Sequence, residues 1–249
     1  MTTSFEPMTE IQAAFAKVFQ RRNWLLGWPT LIGFAVIIPI MFVLVGPDLL
    51  RKMATGNPSA MSSQAYLDIG KLIGAAGLFF LMSLIVFPVI GGWVLAAAAP
   101  VWEGKDPSYG TAFRRALAKW LPLTVFQLVL AVVALVSAIR IIGPILVAVL
   151  GVYGPAYIIF DDESPFGAVG ASFRLAWRNF GATLLLLLAI IVVSIVFAIP
   201  AWILHAIPTV GWALWLAWRV VAQILGSAFV ALAVVRFYER LRMAPITAS

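Results

Sequence analysis

The stretch Thr183-Leu-Leu-Leu-Leu-Leu-Ala-Ile-Ile-Val-Val-Ser-Ile-Val-Phe-Ala-Ile-Pro-Ala-Trp-Ile203 contains no charged residue. A helix rises about 1.5 Å per residue, so roughly 20 apolar residues cross the hydrocarbon of a bilayer. Five other runs pass the same test: Trp24 to Val45, Leu72 to Ala99, Leu121 to Ile139, a run that follows the tight Arg140-Ile141-Ile142-Gly143-Pro144 turn and ends at Phe160, and Trp212 to Val235. None of the six carries an acidic residue. They are continuous apolar runs, unlike the short alternating segments of a membrane β-barrel. The expected fold class is therefore all-α, a polytopic membrane protein with six transmembrane helices arranged as three hairpins. Pro29, Pro39, Pro88 and Pro200 are expected to kink their helices.

Composition agrees. Of 249 residues, 63% are hydrophobic and 11% charged, and there is no Cys. Soluble domains are about 45–50% apolar and about 25% charged, so a soluble enzyme, a disordered chain and a disulfide scaffold are excluded. Glu6 and Glu10 stand where a secretory signal would be basic, and the first apolar run begins only at Trp24, so the first span is expected to be retained.

The basic residues set an orientation. Lys17, Arg21, Arg22, Lys105, Arg114, Arg115, Lys119, Arg174, Arg178, Arg236, Arg240 and Arg242 fall on one side, against Arg51, Lys52, Lys71 and Arg140 on the other. This positive-inside asymmetry predicts that both termini lie in the cytoplasm. The net charge of +7 then belongs beside anionic membrane lipids, the expected partners, and not with nucleic acid.

An amphipathic segment precedes each odd-numbered span. The stripes are Ile11, Ala14, Phe15, Val18, Phe19; then Tyr109, Ala112, Phe113, Ala116, Leu117, Trp120; then Phe166, Val169, Phe173, Ala176, Trp177, Phe180. Lys17 and Arg21, then Arg114, Arg115 and Lys119, then Arg174 and Arg178 flank them. Such a pattern predicts a cytoplasmic interfacial helix lying at headgroup level, with these cations and Trp177 as its membrane-binding residues. Asp106-Pro107 and Ser164-Pro165, and more weakly Glu6-Pro7, read as helix starts. Gly110-Thr-Ala-Phe-Arg-Arg-Ala116 and Gly170-Ala-Ser-Phe-Arg-Leu-Ala176 share Gly, Phe, Arg and Ala at equal spacing. The chain thus reads as one membrane domain, 1–249, built of repeat units 5–99, 106–160 and 164–235 with a tail at 236–249. Its longest external connection is Gly46 to Lys71, where Gly56-Asn-Pro-Ser59 reads as a flexible loop.

The stretch from Gly143 through Tyr157-Ile-Ile-Phe-Asp-Asp-Glu-Ser-Pro-Phe-Gly-Ala-Val-Gly-Ala-Ser-Phe-Arg-Leu-Ala-Trp-Arg-Asn-Phe180 resembles the bacterial YciC-type inner-membrane family. It is also similar to the membrane domain fused to some glycerophosphodiester phosphodiesterases. The resemblance implies a six-helix cytoplasmic-membrane protein in a lipid-metabolic neighbourhood. It transfers no phosphodiesterase activity, because the catalytic barrel of those fusions is absent here.

Hydrolase or transferase chemistry needs a nucleophile with its base, or carboxylates holding a metal. This chain has one His and no Cys, so it is expected to be neither an enzyme nor a metal protein. Asp161, Asp162 and Glu163 form the one acidic cluster, readable as a cation or partner site or as a solvated helix start. Arg219 is a charge well inside a span, and with Gln223 and Ser227 it makes a polar stripe at i, i+4 and i+8. That stripe reads either as a lipid- or substrate-binding line or as an arginine snorkelling among Trp212, Trp215 and Trp218. His205, between Pro200 and Pro208, is a weak cofactor-binding candidate for haem or a chlorophyll-type pigment; no cofactor is otherwise expected. Tyr153 and Tyr157 read as interfacial anchors. Gly70, Gly74, Gly77 and the Gly91-Gly92 pair read as helix-packing surfaces, within the chain or against other membrane protein subunits. The functional expectation is a non-enzymatic accessory or scaffold subunit, or a membrane-organising protein. The alternatives are a lipid or small-amphiphile transporter and a cofactor-holding subunit.

Overall fold

The computed structural model describes residues 5–45, 63–137, 147–149, 151–205, 207 and 210–243. Its helices, in chain order, are α1 (Pro7–Val18), α2 (Pro29–Val45), α3 (Ser63–Trp102), α4 (Tyr109–Ala118), α5 (Trp120–Ser137), α6 (Gly154–Phe160), α7 (Pro165–Arg178), α8 (Phe180–His205) and α9 (Gly211–Met243). A 3₁₀ turn at Arg21–Asn23 separates α1 from α2. No strand occurs among the described residues. Four stretches are long and apolar enough to cross a membrane: Ala76–Trp102, Trp120–Ser137, Phe180–Leu204 and Ala213–Met243.

These four correspond to the second, third, fifth and sixth expected spans. The first yields α2, 17 residues long, and the fourth yields the shorter apolar stretch Val147–Phe160. The Arg140–Pro144 turn, the Gly56–Ser59 loop, Arg51, Lys52 and the side chains of Lys71, His205 and Trp212 lie outside the described residues.

Two helices run further than the apolar pattern implied. α3 extends for 40 residues, about 60 Å at 1.5 Å each, with Pro88 and Pro100 inside it. α9 continues past Val235 through Arg236, Tyr238 and Arg240 to Met243, so most of the expected tail is helix. Its Arg236, Arg240 and Arg242 are paired, as shown below, and a paired cation is no obstacle to helix propagation. Pro29 opens α2 instead of kinking it, the position where its missing N–H costs least. Pro39 and Pro200 do lie within their helices.

α1, α4 and α7 fall where the amphipathic pattern put them, and each divides its apolar stripe in two. Small residues face the protein: Ala14 on α1, Ala112 and Ala116 on α4, and Ala168, Ala171 and Ala176 on α7 are buried. The large aromatics Phe15, Phe113, Phe166, Phe173 and Trp177 stay exposed. α1 packs on α9, α4 on α3, and α7 on α6 and α5. The helices therefore dock by their alanines, joined by Ile11 and Val18 on α1 and Leu175 on α7, and leave their aromatic edges outward.

The helix starts differ in detail. Ser164 caps α7, its Oγ accepting from the Gly167 amide at 3.1 Å. The residue preceding α4 is Ser108, not Asp106, and Asp106 instead lies 3.9 Å from Arg22. Glu6 precedes α1 without capping its backbone and accepts from the Thr9 hydroxyl at 3.1 Å.

The core sits at one end of the bundle, where α1, α4, α6 and α7 surround residues 90–101 of α3 and 228–241 of α9. This basic end holds most of the described cations. The opposite, far end carries the apolar remainder of α3, α5, α8 and α9.

Candidate functional site: an apolar cavity with a cationic end

Arg219, Gln223 and Ser227 line one cavity of about 560 Å³. Gly91, Val94 and Leu95 of α3, Val152 and Pro155 beside α6, Ser194, Phe197 and Ala198 of α8, and Thr30 of α2 complete its wall. On α9 the lining runs from Arg219 to Val234, about 22 Å along the helix at 1.5 Å per residue. The wall is therefore apolar along most of its length and cationic at the far end.

The polar groups in this wall are not equivalent. The Ser227 Oγ lies 2.7 Å from the Gln223 carbonyl, 3.3 Å from the Gly27 carbonyl and 3.4 Å from the Thr30 Oγ1. It takes part in a helix crossing while also lining the cavity. Gly27 marks the same crossing, since a Cβ there would stand 2.0 Å from the Ile224 carbonyl oxygen. Thr30 and Ser194 bond back to carbonyls of Gly27 and Ile190 at 2.7 Å each. Gln223 and Arg219 keep their donors: among the described residues neither forms a hydrogen bond or ion pair with protein. The Arg219 guanidinium lies 5.8 Å from the Trp215 ring, and the Trp218 indole donates to the Phe197 carbonyl at 2.7 Å. Arg219 is thus exposed beside an aromatic residue while also reaching the cavity.

The cations on and beside the amphipathic helices divide into two groups. Lys17 donates to the Val101 carbonyl at 3.1 Å, and both Lys17 and Arg236 lie over the Trp102 ring, at 5.0 and 4.7 Å. Burial, then the charges of Arg22 and Arg236, hold the Lys17 ammonium below its ordinary pKa. Arg115 donates to the Ile159 carbonyl at 2.8 Å, and Lys119 pairs with Asp162 at 2.7 Å. Lys17, Arg115 and Lys119 are thus engaged with the protein's own carbonyls and a carboxylate. Arg21, Arg114, Arg174 and Arg178 are exposed and form no ion pair among the described residues.

The acidic cluster is drawn apart. Asp161 accepts from the Tyr238 hydroxyl at 2.5 Å and pairs with Arg242. Asp162, at φ 58°, turns to Lys119, whose hydrogen bond and charge hold its carboxyl below the usual range. Glu163 lies beside the first turn of α7, near Gly167. No group of three potential metal ligands assembles among the described residues.

Three features escaped the sequence reading. Glu10 binds Arg236 at 2.6 Å and lies 3.2 Å from Arg240, tying α1 to α9. Asn23 and Asn179 play matching parts: each donates its side-chain amide to a carbonyl at the end of the preceding amphipathic helix, Lys17 at 2.8 Å and Leu175 at 3.0 Å. Arg22-Asn23-Trp24 and Arg178-Asn179-Phe180 carry that signal openly. Tyr153 is buried, with its hydroxyl 3.2 Å from that of Thr183, and is not an interfacial anchor. Gly92 lies tight against Leu123 and Ile159, whereas Gly70, Gly74, Gly77 and Gly91 face open space among the described residues. The His205 side chain lies outside the described residues.

No family model matches the chain, and no curated protein or solved structure does either.

Proposed function

We propose that this is a non-enzymatic, six-span protein of the bacterial cytoplasmic membrane, with both termini in the cytoplasm, that binds and carries an anionic lipid or small amphiphile. The supporting observation is the cavity that joins Arg219 and Gln223 to a long apolar wall. Ligand pockets characteristically combine a mostly apolar lining of about 300–1,000 Å³ with a few convergent polar groups. An acyl chain suits residues 226–234 of α9, and an anionic head suits Arg219. The resemblance to YciC-type proteins and the 60-residue repeat are consistent with this reading.

The test is native mass spectrometry of the protein extracted gently from its own membrane. An anionic amphiphile bound to the wild-type chain and lost from Arg219→Leu is the expected result. An equally loaded Arg219→Leu protein would remove the basis of the proposal.

A second reading, an accessory subunit, is favoured by the open faces of Gly70, Gly74 and Gly77. Small residues let membrane helices approach closely, and the described part of this chain supplies no such neighbour. Stoichiometric co-purifying chains in the same spectrum would select it.

A further inference from the structure

A second groove lies at the basic end, on the outer side of α7. It encloses about 440 Å³ between α7, Tyr157 and the end of α9, and its rim carries Arg174, Arg178 and Arg242 with Trp177. Asp161 and Glu163 also line it. Asp161 is already bound to Tyr238 and Arg242, and among the described residues neither Asp161 nor Glu163 forms an ion pair with Arg174 or Arg178.

Arg174 and Arg178 stand four residues apart on one helix, an arrangement of like charges that destabilises a helix by a few tenths of a kcal/mol. The last turn of α7 compensates Arg178 through the helix dipole but does little for Arg174. An anion shared by both would remove the repulsion. The related helix α4 offers the comparison: at the same 60-residue offset it keeps Arg114 but has Ala118 in place of the second arginine.

The surroundings identify the anion's carrier. Trp177 is 61% exposed, and its ring stacks at 3° on Phe173, 6.1 Å away. The apolar span beginning at Phe180 starts two residues after Arg178. A cationic pair, an exposed tryptophan and the root of a span occupy one headgroup-level surface.

We propose that the α7 groove binds the phosphate of an anionic phospholipid of the cytoplasmic leaflet through Arg174 and Arg178, with Trp177 against the upper acyl chain. This rests on the membrane orientation proposed above and not on the Arg219 cavity.

The experiment is lipid titration of the purified full-length chain by native mass spectrometry. The probes are phosphatidylglycerol, phosphatidylcholine and inorganic phosphate. Wild type should prefer phosphatidylglycerol, and Arg174→Gln/Arg178→Gln should lose that preference roughly 30-fold, the ratio two headgroup-level cations supply. Arg114→Gln should retain it. Trp177→Ala should weaken phosphatidylglycerol and leave its charge selectivity intact, while helical content stays that of wild type in every variant. Equal binding of the two lipids by wild type, or an unaltered preference in the double arginine variant, would overturn the site. Inorganic phosphate competing as well as the lipid would overturn the lipid as its source. Loss of preference in Arg219→Leu alone would assign the lipid to the cavity instead.

Discussion

The two ends of this bundle are built by different rules. At the basic end α3 and α9 are buried between Ile90 and Val101 and between Ala228 and Leu241, beneath α1, α4, α6 and α7. At the far end Phe80, Leu81, Val132, Ile195 and Leu216 are exposed from the protein. The apolar windows of α3 and α9 are 35% and 44% buried, those of α5 and α8 only 11% and 17%. Lipid is as apolar as leucine, so a spanning helix gains little hydrophobic energy by leaving lipid for a neighbour. In the orientation proposed above, the far end can remain open, whereas the basic end meets headgroups and water and must be specified by close packing and paired charges. Stability is therefore expected to respond to mutations at the basic end and at helix crossings, and ligand or partner binding to mutations at the far end.

The hardest test is at the crossing of α9 with Gly27. Gly27→Val would drive a side chain into the backbone oxygen of Ile224, which cannot swing aside. Overpacking of this kind costs about 3 kcal/mol. The same substitution at Gly74, where nothing described stands within 4 Å, should change stability by less than about 0.5 kcal/mol. Denaturant unfolding in detergent compares the two. Equal effects would erase the distinction between crossing and open face. A Gly74→Val chain of unchanged stability that loses a co-purifying partner would sharpen it.

Glu10→Gln is next. It leaves Arg236 and Arg240 without their carboxylate in a place where the Arg236 side chain is 22% exposed. Removing one partner of a fully buried pair costs about 3–5 kcal/mol, and partial exposure reduces that to about 2 kcal/mol here. A double-mutant cycle of Glu10→Gln with Arg236→Gln should show strong coupling. Additive effects would mean that α1 is held by Ala14 and Val18 alone.

At the far end the same kind of charge removal should leave unfolding untouched. Arg219→Leu is expected to weaken amphiphile retention about tenfold, the value of one charge-assisted contact, with the unfolding midpoint of wild type. A variant that unfolds early would make Arg219 part of the scaffold and dissolve the contrast between the ends.

What the sequence made legible follows the same division. Apolar runs such as Thr183–Ile203 and the stripes of α1, α4 and α7 depend on composition and period, and both can be read along one chain. The cavity was half legible: spacing placed Arg219, Gln223 and Ser227 on one face, yet only the packing of Gly27 against α9 reveals that Ser227 takes part in a crossing. Glu10 was the least legible. Its partners lie 226 and more residues away, and a carboxylate near an N-terminus carries no mark of the arginine it will meet. The division of each amphipathic stripe into a docked alanine edge and an exposed aromatic edge was equally hidden, because hydropathy counts both as apolar.

The smallest effect belongs to the exposed pair Asp162–Lys119, and its sign can be worked out. Lys119 holds the folded-state carboxyl of Asp162 below its ordinary value. A carboxyl depressed on folding contributes stability above its unfolded pKa, near 4, and loses that contribution as pH falls through the lower folded-state value. Asp162→Asn is the clean probe, because Asn tolerates the positive φ of this position as Asp does. Its unfolding midpoint should sit slightly below wild type at pH 7, and the gap should close in acid. A gap that persists in acid would assign the effect to the turn backbone and not to charge. Even when fully formed, an ion pair so open to solvent contributes little. The basic end therefore draws its stability from its buried core and the Glu10 pair, and Asp162→Asn should leave both in place.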